Sequence, residues 1–285
     1  MAISDALGDR RTVDLPAGTI EYRERGGGRA VVFVHGVGVN GDLWRHVAPP
    51  LADAPGCRCL APDWPLGGHS HPLRPDADLS LPGLARTVAD FLEALDLRDV
   101  TVVANDTGGA VTQWLAGHHA ERVGRLVLTS CDAFDKFPPT PQLYLKPAAR
   151  LRLLRAVAWA VQFKPIQRTP TAYGWTTKTP IDPAIMRSYT SHLREEPGVL
   201  RDLERLLRTV DTRYTHAAAD ALASFDKPAL VVWAADDKLF PREHGQRLAE
   251  LLPQGRFELV ADSRTFIPEE RPEQLVALIR DFLAS

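Results

Sequence analysis

Cysteine is scarce in this chain, and the three that occur, Cys57, Cys59 and Cys131, cannot make an even disulfide framework or a zinc-site spacing. They read as free thiols in a reducing compartment, so a cytoplasmic location is expected. No apolar run approaches the roughly 18 residues of a membrane span. Residues 1–15 lack the apolar core of a signal peptide. A dominant charge is missing too: 34 Lys and Arg stand against 36 Asp and Glu, a formal balance of −2. That balance gives no reason to expect nucleic acid or an anionic membrane as a partner. Repeats and low-complexity segments are absent, and nothing calls for a metal or a cofactor. The oligomeric state is left open.

What remains is ordinary globular material. The chain has 285 residues, 45% of them hydrophobic, enough for one full core or a core with an insert. Ala30-Val31-Val32-Phe33-Val34 is a continuous apolar run of the kind that suits a strand covered on both faces. A helix is expected to begin near Asp42 as N-cap and to carry Leu43, Trp44, Val47 and Leu51. A strand through Cys59-Leu60-Ala61 leads to Asp63 and the loop Trp64-Pro65-Leu66-Gly67-Gly68-His69. Leu84, Val88, Phe91, Leu92 and Leu95 predict an amphipathic helix over 82–96. Strands follow at 100–104 and 123–128, with a helix between them over 109–119. This alternation predicts a mostly parallel α/β sheet flanked by helices.

The rhythm stops near residue 135. From Phe137 to about Ala223 the chain is rich in proline, arginine and aromatics and reads as helical pieces without strands. It resumes with a strand at 229–233, a helix at 242–252, a strand at 256–260 and a final helix bearing Leu275, Leu278, Ile279, Phe282 and Leu283. The predicted organisation is a core of 1–134 and 224–285, with a helical cap over 135–223.

The chemistry-bearing feature is the strand–turn–helix around Ala104-Asn105-Asp106-Thr107-Gly108-Gly109. A tight turn here lifts the Asp106 side chain above the sheet, with Ala104 and Gly108 small enough to avoid clashes. Taken alone, the junction reads more simply as Asp106 capping the helix. Four further features favour the turn: His35-Gly36 after the first core strand, Asp63 with its Gly-rich loop, Asp237 after a late strand, and Phe266-Ile267-Pro268-Glu269-Glu270. Together these resemble the α/β-hydrolase superfamily along nearly the whole chain, and the aspartate at the turn resembles the haloalkane dehalogenase and epoxide hydrolase branch. The resemblance implies a small, largely apolar substrate, with Asp106 attacking an sp³ carbon to form an ester that a His-activated water hydrolyses. It also implies backbone oxyanion donors at Gly36, Val37 and Thr107, and an acid at Asp237 or, as an alternative, at Asp132.

The resemblance is incomplete. Dehalogenases of this kind usually carry Trp after the nucleophile, where this chain has Thr107, and no arginine follows Asp106 before Arg122. Tyr144, Tyr173, Tyr189 and Tyr214 leave an epoxide-opening role open, although lid aromatics commonly just pack. Tyr173 and Trp175, flanking Gly174, are expected to form the pocket wall. His35 is expected to line the site, and Asn105 either orients Asp106 or satisfies buried backbone.

The catalytic histidine is missing. Thr265 occupies its position, and the last histidine in the chain is His244. A neutral threonine cannot take up a proton near neutral pH. Three readings follow. His69, at the carboxyl edge of the sheet, replaces the base; or Asp106 acts as a general acid or base in a lyase, isomerase or cyclase reaction; or the protein is a small-molecule binder that has kept the pocket.

Overall fold

The computed structural model describes residues 2–53 and 56–284. Eight strands form one sheet in the order β1-β2-β4-β3-β5-β6-β7-β8. They are β1 (Asp9–Leu15), β2 (Gly18–Gly26), β3 (Arg29–Val34), β4 (Cys57–Pro62), β5 (Val100–Asp106), β6 (Val123–Cys131), β7 (Ala229–Ala234) and β8 (Gly255–Val260). β2 runs antiparallel to both β1 and β4, and the other pairings are parallel.

The central strands are the apolar runs of the sequence. Val31, Val32 and Phe33 of β3 and Val231, Val232 and Trp233 of β7 are fully buried, as strands covered by helices on both faces require. No apolar run in the sequence announces the β1–β2 hairpin. β1 is largely exposed and carries Asp9, Arg10, Arg11 and Asp14 at the sheet edge, so it has no hydrophobic period to betray it. The amphipathic helix spans Leu81–Ala94, capped by the Ser80 hydroxyl, which accepts from the Gly83 N–H. It buries Phe91 edge-on against Tyr22 and Trp64, with ring centroids 5.3 Å away in each case.

Asp42 does not cap a helix. Asn40 takes that position at a 3₁₀ turn, Gly41–Trp44, and its Oδ1 accepts from the Asp42 N–H at 3.0 Å. The Asp42 carboxylate instead accepts from the backbone N–H groups of Ile3 and Ser4 at 2.8 and 2.9 Å. It serves as the anchor of the N-terminal segment.

Between β6 and β7 every regular element among the described residues is helical. The helix Thr212–Ala221 packs against the core helix Thr107–His118, closely enough that a Cβ on Gly117 would lie 2.4 Å from the Ala221 Cβ. The C-terminal end of the insert thus packs on the core helix, while the helices before it include those that line the cavity.

One buried ion pair locks the insert to the core. Arg45, after the 3₁₀ turn, donates two 2.6 Å hydrogen bonds to Glu269, and Tyr189 of the insert helix Pro183–Glu195 donates to the same carboxylate at 2.8 Å. Burial opposes the arginine's charge, yet Glu269 holds its pKa above the ordinary value. Removing Glu269 leaves Arg45 without its carboxylate, with only the Asp42 carbonyl among the described residues still accepting from it, and takes the acceptor from Tyr189. Glu269→Ala is therefore expected to cost about 3–5 kcal/mol in urea denaturation, with Glu269→Gln less damaging. A loss typical of a surface pair, under about 1 kcal/mol, would show that this lock is not structural.

Candidate active site

β5 ends at Asp106, whose backbone is held at φ 57°, ψ −133°, a conformation avoided by side-chain-bearing residues. Its carboxylate makes no capping bond to the helix that follows, Thr107–His118. The helix-cap reading therefore fails on geometry. Two glycines permit the turn. A Cβ on Gly108 would lie 2.3 Å from the Val34 carbonyl oxygen, and one on Gly36 would lie 2.5 Å from Asp106 Oδ2.

Asp106 opens into a cavity of about 140 Å³ between the sheet's carboxyl edge and the insert. An engineered apolar cavity of roughly this size admits benzene. Val37, Gly38 and Thr107 form its floor, Leu239 and Phe266 line one side, and Leu154, Val157, Ala158, Leu203 and Leu206 come from the insert. Asp106 is the only charged side chain among the described residues lining it. Burial pushes its pKa up to about 7; the Thr107 backbone N–H opposes that shift and the Asp237 charge adds to it. Near neutral pH the group is thus divided between acid and base forms.

Asp237 follows β7 on the turn before Leu239. Its Oδ1 accepts from the Leu239 and Phe240 N–H groups at 2.8 and 2.9 Å, and from the Thr265 hydroxyl at 3.0 Å. Burial raises its pKa to about 6. Thr265 is fully buried and so turns its hydroxyl to the acid, the partner a histidine in its place would have. Asn105 pins this loop from below, donating to the Thr265 carbonyl at 2.8 Å and to Thr129 Oγ1 at 2.9 Å. Satisfying buried polar groups is thus what Asn105 does here. Asp132, fully buried behind the turn, accepts from the Thr107 hydroxyl at 2.8 Å. Its burial and the neighbouring Asp106 charge push its pKa well up.

Several expected site residues lie elsewhere. His35 is buried with both ring nitrogens used: Nε2 accepts from the Trp64 N–H at 2.8 Å, and Nδ1 donates to the Gly36 carbonyl at 2.9 Å. Burial lowers its pKa to about 3, so it stays neutral and shapes the loop beside Asp106. His69 does not line the cavity. Its Nε2 lies 3.5 Å from Asp202 Oδ2 on the insert helix Pro197–Thr209, and it joins the loop to the insert. Trp175 is half-buried against the hydrophobic core and is likewise not part of the cavity wall. Tyr173 is on that wall, with its hydroxyl donating to the Gly38 carbonyl at 2.6 Å. Tyr144 also lines the cavity and donates to the Thr171 carbonyl at 3.0 Å. None of the nine histidines lines it. Gly38 went unnoticed in the sequence, and only its position two residues past Gly36 could have signalled it.

A family model described as alpha/beta hydrolase fold matches residues 29–272. The chain belongs to the α/β-hydrolase fold family. It is 28% identical to a cis-3-alkyl-4-alkyloxetan-2-one decarboxylase from Xanthomonas campestris pv. campestris, over 94% of this chain and 93% of that protein. A solved haloalkane dehalogenase from Agrobacterium tumefaciens superposes with a TM-score of 0.76 at 25% identity, covering 99% of each chain. A solved epoxide hydrolase superposes at 0.79 with 20% identity, covering 97% of this chain and 98% of that one. The chain is thus a hydrolase-like enzyme of this family related to haloalkane dehalogenases, and it shares its fold with the epoxide hydrolase.

The raised carboxyl pKa values set a sign for stability. Asp106 titrates near 7 when folded against an ordinary 3.8, so its stabilising contribution is full below about pH 4 and is lost as pH rises through 7. Asp106→Asn removes that loss. The variant is expected to gain on the wild type by roughly 1–3 kcal/mol between pH 5 and pH 8. Unfolding midpoints of both proteins across that range check it, and parallel curves would contradict the burial of the charge.

Proposed function

We propose that the protein is an enzyme that fragments or rearranges a small apolar substrate without consuming water, with Asp106 carrying the chemistry. One observation carries the reading: among the described residues lining the cavity the only charged group is a carboxylate, and no histidine accompanies it. Hydrolysis of an aspartyl ester needs an activated water, and general base catalysis contributes about 10²–10⁴-fold to such a step. A site without that base turns over readily only when its reaction leaves Asp106 free at the end.

The relative named as an oxetan-2-one decarboxylase supplies a reaction of this type. In a four-membered lactone, the ring carbon–oxygen bond and the bond from the carbonyl carbon to its ring neighbour both break. The products are an alkene and carbon dioxide, with no net proton and no water. Asp106 in its ionised form would face the carbon that loses the ring oxygen and stabilise its developing positive charge. Val37 and Thr107 N–H groups on the cavity floor suit the carboxyl oxygens. The apolar walls exclude water that would otherwise trap the cation. The insert serves as the lid of this site.

A second reading rests on Asp237, which burial brings to about 6 and whose Oδ2 makes no hydrogen bond of normal length to a described residue. In that reading Asp237 acts directly on a water, and the enzyme hydrolyses an Asp106 ester slowly.

Short-chain cis-dialkyl oxetan-2-ones, assayed by gas chromatography in heavy-oxygen water, separate the two. Alkene and carbon dioxide without label, lost by about 10²-fold or more in Asp106→Asn, support fragmentation. Labelled hydroxy acid, abolished by Asp237→Asn, transfers support to the hydrolytic reading. Absence of both products overturns the proposal for this substrate class. A primary haloalkane is expected to leave a stable alkyl mass on Asp106, and Thr265→His is expected to turn that adduct over at least 10²-fold faster. Intact-mass measurement reads both.

A further inference from the structure

The formal charge of −2 conceals a strong segregation. Residues 136–181 hold eight Lys and Arg and not one Asp or Glu, which leaves the other 239 residues at −10. The central cations of this stretch, Arg150, Arg152, Arg155, Lys164 and Arg168, are exposed. Its ion pairs with carboxylates are made by Lys136 and Lys178, at the two ends.

The same stretch concentrates exposed apolar surface. Six of the eight large hydrophobic residues that are exposed among the described residues fall between 143 and 166. Leu151 is 68% exposed, Trp159 58% and Phe163 52%, and the Trp159 and Phe163 rings lie 5.7 Å apart. The helix Leu154–Ala160 explains the contrast. Leu154, Val157 and Ala158 on one side line the cavity, while Arg155 and Trp159 on the other face solvent. A helix apolar on its buried face needs no further apolar residues outside. A scattered exposed leucine needs no explanation, but a cluster with an indole and a phenyl ring does.

We propose that this face of the insert docks on an anionic lipid bilayer. Exposed aromatic and leucine side chains interspersed along the stretch with exposed arginine and lysine match the chemistry of an interfacial segment. The arginine and lysine stems lie along apolar surface while their heads reach the phosphates. The opposite side of the same helix faces the substrate cavity, so docking places the cavity wall next to the phase in which a small apolar substrate concentrates. The proposal stands on charge and exposure and is independent of the reaction assigned to Asp106.

Co-sedimentation of the full chain with vesicles of phosphatidylcholine containing one quarter phosphatidylglycerol tests it. Binding is expected to these vesicles and not to pure phosphatidylcholine, and to weaken in high salt as exposed charges are screened. Each cation near such a surface is worth about a five-fold gain in partition. Arg152→Glu with Arg155→Glu is therefore expected to lose at least roughly 25-fold, with circular dichroism unchanged. Vesicle addition should also shift tryptophan emission to the blue in the wild type and not in Trp159→Phe. No sedimentation with anionic vesicles overturns the proposal, as does equal binding by the charge-reversed variant. Sedimentation analysis showing that the patch joins two copies, or capture of an oligonucleotide without capture of vesicles, assigns it to another partner and also overturns it.

Discussion

A single backbone conformation organises this protein. Asp106 sits at φ 57°, a cost of order 1–3 kcal/mol for a residue with a side chain. It is held there by β5 below, the helix Thr107–His118 above, and the close approach of Gly108 to the β3 backbone. With any larger residue at Gly108 or Gly36 the turn could not close against β3 or the Asp106 carboxylate. The result is a carboxylate projecting from the sheet edge instead of one folded back onto its own helix.

The surroundings of that carboxylate decide its chemistry. Asp106, Asp132 and Asp237 are all buried; burial raises the pKa of each, and a neighbouring carboxylate adds to the rise at Asp106 and Asp132. Where a histidine would both orient the acid and carry a proton, Thr265 provides a hydrogen bond to Asp237 and no basic site. The acid stays anchored by two backbone N–H groups, so the pocket keeps its shape without the histidine. Asp106 is left as an isolated, partly protonated group facing an apolar space. The proposed water-free reaction rests on this arrangement, because it does not consume the carboxylate.

The insert does two physical jobs. Its inner residues make the cavity apolar, and its attachments, Glu269 with Arg45 and Tyr189 on one side and His69 with Asp202 on another, fix how closely it approaches the sheet. The same polar contacts account for residues whose role was open in the sequence. His69 lies in a loop at the sheet's carboxyl edge, which made it a candidate base, but its partner is Asp202, whose carboxylate also accepts from the Leu73 N–H 129 residues away. Such a pairing leaves no local signal.

The central parallel strands, the turn at Asp106 and the lack of a basic residue after β8 were all legible in the sequence. These follow from local rules: continuous apolar runs, a small-residue turn between strand and helix, and a residue identity that can be read directly. The sequence did not show β1, whose edge position gives it a polar composition, nor the role of Asp42, which binds backbone far from it in sequence. Which groups face the cavity was set by packing between segments far apart in the chain. His35 and His69 each have a buried partner away from it, Trp175 packs against the core, and Tyr173 stays because its partner, Gly38, is part of the cavity floor. Which way a side chain faces depends on partners distant in sequence, and a pattern of neighbours cannot encode that.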